Sequence, residues 1–172
     1  MKKYTVEDLD REFASDGACL EWIKERRWPN GIYCTRCQKV AKHHPLKNRN
    51  CYCCDYCGTQ VYPSAGTIFR KSTTSLRTWF YAIYRMASTH CGVSAKQVQR
   101  ETGLTYKTAW RMCKLIKRTL AEDIQLFHAE EKAGECGGEK GRKGTQKAVA
   151  GVLSRSQFHQ LLEKVVLTEK RQ

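Results

Sequence analysis

Six of the ten cysteines lie between residues 34 and 57, in "CTRC" and "CYCCDYC". Thiols two residues apart can close on one ion from a single turn, and in a reducing compartment such pairs read as metal ligands or redox centres. Cys34 and Cys37 are followed after sixteen residues by Cys54 and Cys57, a spacing inside the structural zinc range. Cys51 and Cys54 also satisfy the pair rule, so the second cluster offers two pairings. Gly58 separates them, because a glycine directly behind Cys57 lets the chain turn tightly after the second thiolate. The expected ligands are therefore Cys34, Cys37, Cys54 and Cys57 around one structural Zn2+. Cys51 and Cys53 stand one strand period apart and read as small hydrophobes. Competing readings recruit His43 or His44, or place a second ion on Cys51 or Cys53. An all-thiolate tetrahedral site is closed, so its work is to fold the chain rather than to turn over a substrate.

A disulfide set is the weakest alternative. The opening "MKKYTVEDLDREF" turns acidic and amphipathic at once and does not read as an export signal. No apolar run approaches the roughly eighteen residues of a membrane span. The expected place is the cytoplasm, associated with the nucleoid, with no membrane partner. The formal charge of +14 is concentrated in one stretch. Residues 1–33 carry net −1 and residues 119–172 net +1, whereas residues 34–118 hold 16 basic side chains against Asp55 and Glu101 alone. Four zinc-bound thiolates leave that stretch strongly positive, and such an excess points to a polyanion, most simply double-stranded DNA.

The elements that must position these groups are mostly helical. Thr5 with Asp8 three residues on reads as a helix start, followed by Leu9 and Phe13 at helical spacing. Ser15 or Asp16 caps a second helix carrying Leu20, Trp22 and Ile23, which "PNG" stops; Cys19 there reads as a buried small side chain. After the cysteines, "TQVYPSAGTIF" alternates like a strand and breaks at Pro63 and Gly66. From Thr74 or Ser75 a helix places Leu76, Trp79, Phe80, Ile83, Tyr84 and Ala87 on one stripe, a core face.

"GVSAKQVQRETGLTYKTAWRMCKLIKRTL" then reads as helix, tight turn, helix: Ser94 caps the first, Gly103 sits in the turn, and Thr105 caps a second running to about Leu120. At about 100° per residue, Lys107, Arg111, Lys114 and Arg118 share an arc opposite Ala109, Cys113, Ile116 and Leu120. No acid interrupts the segment from Thr105 to Leu120. In a helix-turn-helix the start of the second helix meets the bases, which singles out Tyr106, Lys107, Thr108 and Arg111; Lys114 and Arg118 are placed for phosphates.

The combination of "RWPNGIYCTRC", "CDYCGTQVYPSAGTIF", "LRTWFYAIYRMAS" and "GVSAKQVQRETGLTYKTAWRM" resembles the zinc-ribbon DDE transposases of bacterial insertion sequences, from about Tyr4 to Leu120. The resemblance implies a zinc ribbon and helix-turn-helix that recognise the element's terminal repeats. It also implies a following RNase H-like domain in which three acids hold two divalent metal ions. The expected fold class is α+β, mostly α. Residues 1–30 form N-terminal helices, 31–64 a zinc ribbon, and 65–120 a helix plus helix-turn-helix domain. Residues 121–172 read as a truncated, degenerate start of the RNase H-like domain, or a disordered tail.

The departure begins where catalysis should. Gly137 and Gly138 fit the end of the family's catalytic strand, but Lys132 stands where the first Asp belongs and Ala133 where the next Glu belongs. Asp123 is the last Asp in the chain. "QKAVAGVLSR" still resembles the next strand, and "SQFHQLLEKVVL" places Phe158, Leu161, Leu162, Val165 and Val166 on a stripe that can dock on the body or on a second copy. Cys136, among glycines, reads as a stray thiol. The expectation is a DNA-binding transposase portion with no catalytic residues of its own, partnered by DNA and by a second copy or intact transposase. The alternatives are an active transposase completed by a frameshifted or separate catalytic segment, and a transcription regulator built from the same two modules.

Overall fold

A computed structural model describes residues 3–47, 49–89, 93–130 and 153–167. Helix α1 (Val6–Glu12) opens on a capping box: Asp8 N–H donates to Thr5 Oγ1 at 3.2 Å, and Thr5 N–H donates to Asp8 Oδ2 at 3.1 Å. Helix α2 (Asp16–Arg27) is capped by Ser15, and its last turn carries Lys24, Arg26 and Arg27 against the negative end of the helix dipole. Helix α3 (Leu76–Ala87), capped by Ser75, buries all six expected stripe residues. It buries Ala82 and Met86 as well, since helices cover it on more than one side.

Helix α4 (Ala95–Thr102) starts at Ser94 and ends at Gly103, whose φ of +70° is the left-handed stop that glycine accepts most readily. Helix α5 (Tyr106–Glu130) extends past the expected end near Leu120. Residues 121–130 contain neither Gly nor Pro, so nothing in them breaks the helix. The expected Gly-rich stretch, with Lys132, Ala133, Cys136, Gly137 and Gly138, lies outside the described residues, as does most of the strand expected over 146–155.

Helix α6 (Arg155–Leu167) docks on the body. Phe158, Leu161, Leu162, Val165 and Val166 are each at most 1% exposed, packed where α2, α3 and α5 meet α6. Phe158 stacks on Tyr4 at 5.4 Å between ring centroids, Phe13 meets Phe80 edge-on at 4.8 Å, and Tyr4 N–H donates to Leu153 O at 2.9 Å. One core thus joins the two ends of the chain.

The ribbon is built from strands of two or three residues. Strand β1 (Tyr33–Cys34) pairs with β2 (Lys39–Val40), while β3 (His43–Pro45), β4 (Tyr52–Cys54) and β5 (Gln60–Val61) form an antiparallel sheet in that order. Arg27 of α2 donates to the carbonyls of Pro63 and Ala65, tying the exit of the ribbon to the helical body.

Three joints between elements share one chemistry, a glutamate that accepts from a tyrosine hydroxyl and a cation. Glu12 receives Tyr4 Oη at 2.8 Å and both Arg155 Nη2 and Nε, pinning α6 to α1. Glu21 receives Tyr52 Oη at 2.7 Å and Lys24 Nζ, pinning the ribbon to α2. Glu101 receives Tyr81 Oη at 3.1 Å, Gln97 at 3.0 Å and a two-pronged Arg85, pinning α4 to α3. Burial pushes the Glu12 and Glu101 carboxyls up, but the hydrogen bonds from Arg155 and Tyr4, and from Arg85 and Gln97, outweigh it and leave both below the ordinary value of 4.5. At Glu21 the Lys24 and Tyr52 bonds lower the carboxyl outright.

A carboxylate held below its unfolded pKa stabilises the fold above the unfolded value, and that stability drains away as pH falls through the folded one. The melting temperature should therefore drop as the pH is lowered through 4.5, the ordinary glutamate value. Glu101→Gln should melt lower than wild type at pH 7 and show a shallower acid slope; parallel Tm–pH curves would deny Glu101 its share. Leu161→Ala should cost about 2–5 kcal/mol in urea unfolding of the zinc-loaded chain, because it leaves a cavity in the shared core.

Candidate metal centre and nucleic-acid interface

The two cysteine turns face each other. Cys34 ends β1 and Cys37 lies in the turn to β2; Cys54 ends β4 and Cys57 lies in the turn to β5. The second turn closes as Gly58 N–H donates to Cys54 O and Cys54 N–H to Thr59 O, each at 3.0 Å, with Gly58 at φ +72°. In the first turn Gln38 adopts φ +53° at the matching place, so both turns reverse through a left-handed residue behind the second cysteine.

The four sulfurs converge: Cys34 Sγ lies 3.4 Å from Cys57 Sγ, Cys37 Sγ lies 4.0 Å from Cys54 Sγ, and all four fall within 4.8 Å of one another. A sulfur tetrahedron around zinc, with bonds of about 2.3 Å, has edges of about 3.8 Å, so the group fits one ion. All four thiols are free, Cys34 and Cys54 buried and Cys37 and Cys57 half-buried. The Thr59 hydroxyl, 3.1 Å from Cys57 Sγ, and the Thr59 backbone hold the Cys57 thiol down at about 6, whereas hydrogen bonding to Cys57 pushes Cys37 up to about 12. A bound zinc ion would supply the counter-charge that four thiolates held this close require.

The rival ligands are engaged elsewhere. Cys51 is fully buried, with Sγ 4.0 Å from Gln60 Oε1, and Cys53 is half-buried, with Sγ 3.3 Å from Gly58 O. His43 Nδ1 lies 2.7 Å from Ala41 O, and His44 Nδ1 lies 2.6 Å from Asp55 Oδ1. Among the described residues, these four cysteines alone converge as a metal-binding group.

On the helical side, α4 and α5 pack against each other around Gly103. Ala109, Cys113, Ile116 and Leu120 are buried, together with Met112, whereas Tyr106, Lys107, Arg111, Lys114 and Arg118 are exposed. Thr108 is half-buried, and its hydroxyl lies 2.9 Å from Thr105 Oγ1 at the helix start, which leaves it less free than its neighbours. Among the described residues, Lys107, Arg111 and Lys114 enter no ion pair. Two exposed residues escaped the charge-and-core reading of this helix: Lys117, and Trp110, which is half exposed beside Lys114. The signal for Trp110 is its place four residues after Tyr106, on the flank between the basic arc and the core arc.

Loading with zinc should give one ion per chain. Cys54→Ser should lose the ion and unfold the ribbon, because a structural site contributes on the order of 10 kcal/mol to such modules; Cys51→Ser should keep it. Metal content with circular dichroism separates the two. A Cβ on Gly58 meets nothing within 4 Å, so Gly58→Ala should cost only the left-handed strain, about 1–2 kcal/mol, with zinc retained.

A family model described as a transposase zinc-ribbon domain matches residues 14–60. The chain is also 29% identical over 112 residues to a protein of Halobacterium salinarum named "Uncharacterized protein in transposable element ISH50", covering 64% of this chain. It spans 37% of that relative's length. No solved structure matches.

Proposed function

Starting from a transposase zinc-ribbon domain at residues 14–60 of this chain, we propose that the protein is the DNA-binding portion of an insertion-sequence transposase, binding terminal repeats without cutting them. The observation that carries the reading is the segregation of α5. Ala109, Met112, Cys113, Ile116 and Leu120 are buried on one face, and the other offers Lys107, Arg111 and Lys114 with no ion-pair partner among the described residues. The order of α4, the Gly103 turn and α5 matches a helix-turn-helix, in which α5 would enter a major groove with Tyr106, Lys107 and Arg111 toward base edges and Lys114 and Arg118 toward phosphates. Thr108, partly spent on the helix start, contributes through its methyl group or a shared hydroxyl. The domain limits at residues 30, 64 and 120 follow the same division of labour, although α5 continues across the last of them.

Helix α6 belongs to the same helical body as α5, since its apolar stripe is buried where α2, α3 and α5 meet it. The lack of cutting rests on the residues themselves. By the resemblance to the zinc-ribbon transposases, Lys132 and Ala133 stand where that family carries the first acids that two-metal phosphoryl transfer needs on a rigid sheet.

Selection of bound sequences from a random duplex pool at two salt concentrations tests the reading, because nonspecific phosphate binding falls with salt and can be subtracted. One recovered motif, matching inverted repeats beside the gene, is expected; no motif would reduce the protein to a basic zinc module. On that motif Arg111→Ala should cost about 1–3 kcal/mol and relax one position. Arg118→Ala should weaken all sequences alike and lower the salt slope by about one. With Mg2+ or Mn2+ the duplex should stay uncut.

A further inference from the structure

Of the four tryptophans, Trp22 and Trp79 are buried, Trp28 is half-buried, and Trp110 alone is exposed, at 50%. It is the fifth residue of α5, within the first two turns, and Tyr106, 54% exposed, lies one turn before it. Its ring is not left to wander: Lys114 Nζ stands 5.1 Å from the ring centroid, a cation–π contact that steadies the indole at the surface. Among the described residues, its Nε1 makes no hydrogen bond. Folding therefore gains little from this side chain, and the exposed ring is free to meet a ligand.

Position on the helix identifies the ligand. At about 100° per residue, Trp110 lies roughly 70° from the centre of the basic arc, beside it and not within it. If the basic arc faces the floor of a major groove, the flank faces its wall. The apolar feature of the major groove is the C5-methyl group of thymine, which lies toward the wall, and apolar side chains recognise it by contact. Charge complementarity brings this flank to duplex DNA: Lys107 and Lys114 lie about one turn to either side of Trp110, Arg111 and Lys117 share the helix, and no acid occurs from Thr105 to Leu120.

We propose that Trp110 is a specificity-determining residue that packs against thymine methyl groups in the major groove, with Lys114 positioning its ring. This rests on the DNA-binding reading above and assigns a base class to one flank of that interface.

Uracil lacks only the methyl group, so it isolates the contact. The full zinc-loaded chain would be titrated with the selected duplex, each thymine replaced in turn by uracil. At one or two adjacent positions the wild-type protein should bind the uracil duplex about fourfold more weakly, the worth of one buried methyl group. Trp110→Ala should bind the thymine and uracil duplexes equally there, and Trp110→Phe should retain part of the difference. The ratio is internal to each variant, so a general loss of affinity does not disturb it, and zinc content with thermal melting verifies the fold. A thymine-to-uracil ratio unchanged in Trp110→Ala overturns the proposal, as does a motif with no methyl-sensitive position; in both cases the DNA-binding reading survives. Failure to select any motif removes that reading and this proposal with it.

Discussion

The fold depends first on four sulfur atoms. Strands of two or three residues cannot bury enough apolar surface to hold a sheet, and below about 40 residues a module of this kind needs a metal or disulfides in place of a core. Here the turns at Cys34–Cys37 and Cys54–Cys57 put their sulfurs within 4.8 Å of one another, and an ion held among them would serve as the ribbon's core. The backbone accepts a cost to make that approach. Gln38 takes a left-handed conformation that a glycine would occupy without strain, whereas Gly58 meets the same demand in the second turn.

A ribbon held by metal still has to be oriented, and the three glutamate joints do that. Each gathers a tyrosine hydroxyl and a cation on one carboxylate and links two elements: Tyr4 and Arg155 of α6 on Glu12 of α1, Tyr52 of the ribbon with the neighbouring Lys24 on Glu21 of α2, and Tyr81 and Arg85 of α3 on Glu101 of α4. Such joints contribute less to stability than to register, because partly exposed ion pairs are individually weak. Their direction is specific, however, and the tyrosine in each case adds apolar packing to the ionic contact. The ribbon is thereby fixed to α2, and α4 to α3.

Local signals made much of this legible in the chain. Caps at Thr5, Ser15, Ser75 and Ser94 need only residues three or four apart, and the core stripes of α3 and α6 follow from helical period. The metal group was legible for the same reason, since a cysteine turn is local and only the meeting of two turns is not. What escaped were relations between distant residues. Nothing near Glu101 in sequence reveals Arg85 as its partner, and nothing near Phe158 reveals Tyr4. Trp110 escaped for a different reason: sorting α5 into charged and apolar arcs leaves no place for an exposed aromatic between them.

The charge distribution joins these strands of argument. From Cys34 to Arg118 the chain has two acids, and neither serves α5: Asp55 lies beside His44, and Glu101 is taken up by Arg85, Gln97 and Tyr81. Arg77, deeper in the same stretch, turns to Asp10 on α1. Both acids of that stretch are thus engaged away from α5, and Lys107, Arg111 and Lys114 are exposed with no ion pair among the described residues. Like charges at these spacings repel and destabilise a helix by a few tenths of a kcal/mol per pair. A surface selected only for solubility would intersperse glutamates and relieve that cost at no expense to the core. Retention of the cost on one face of one helix, opposite the buried Ala109, Cys113, Ile116 and Leu120, is the arrangement that a polyanion would repay on binding.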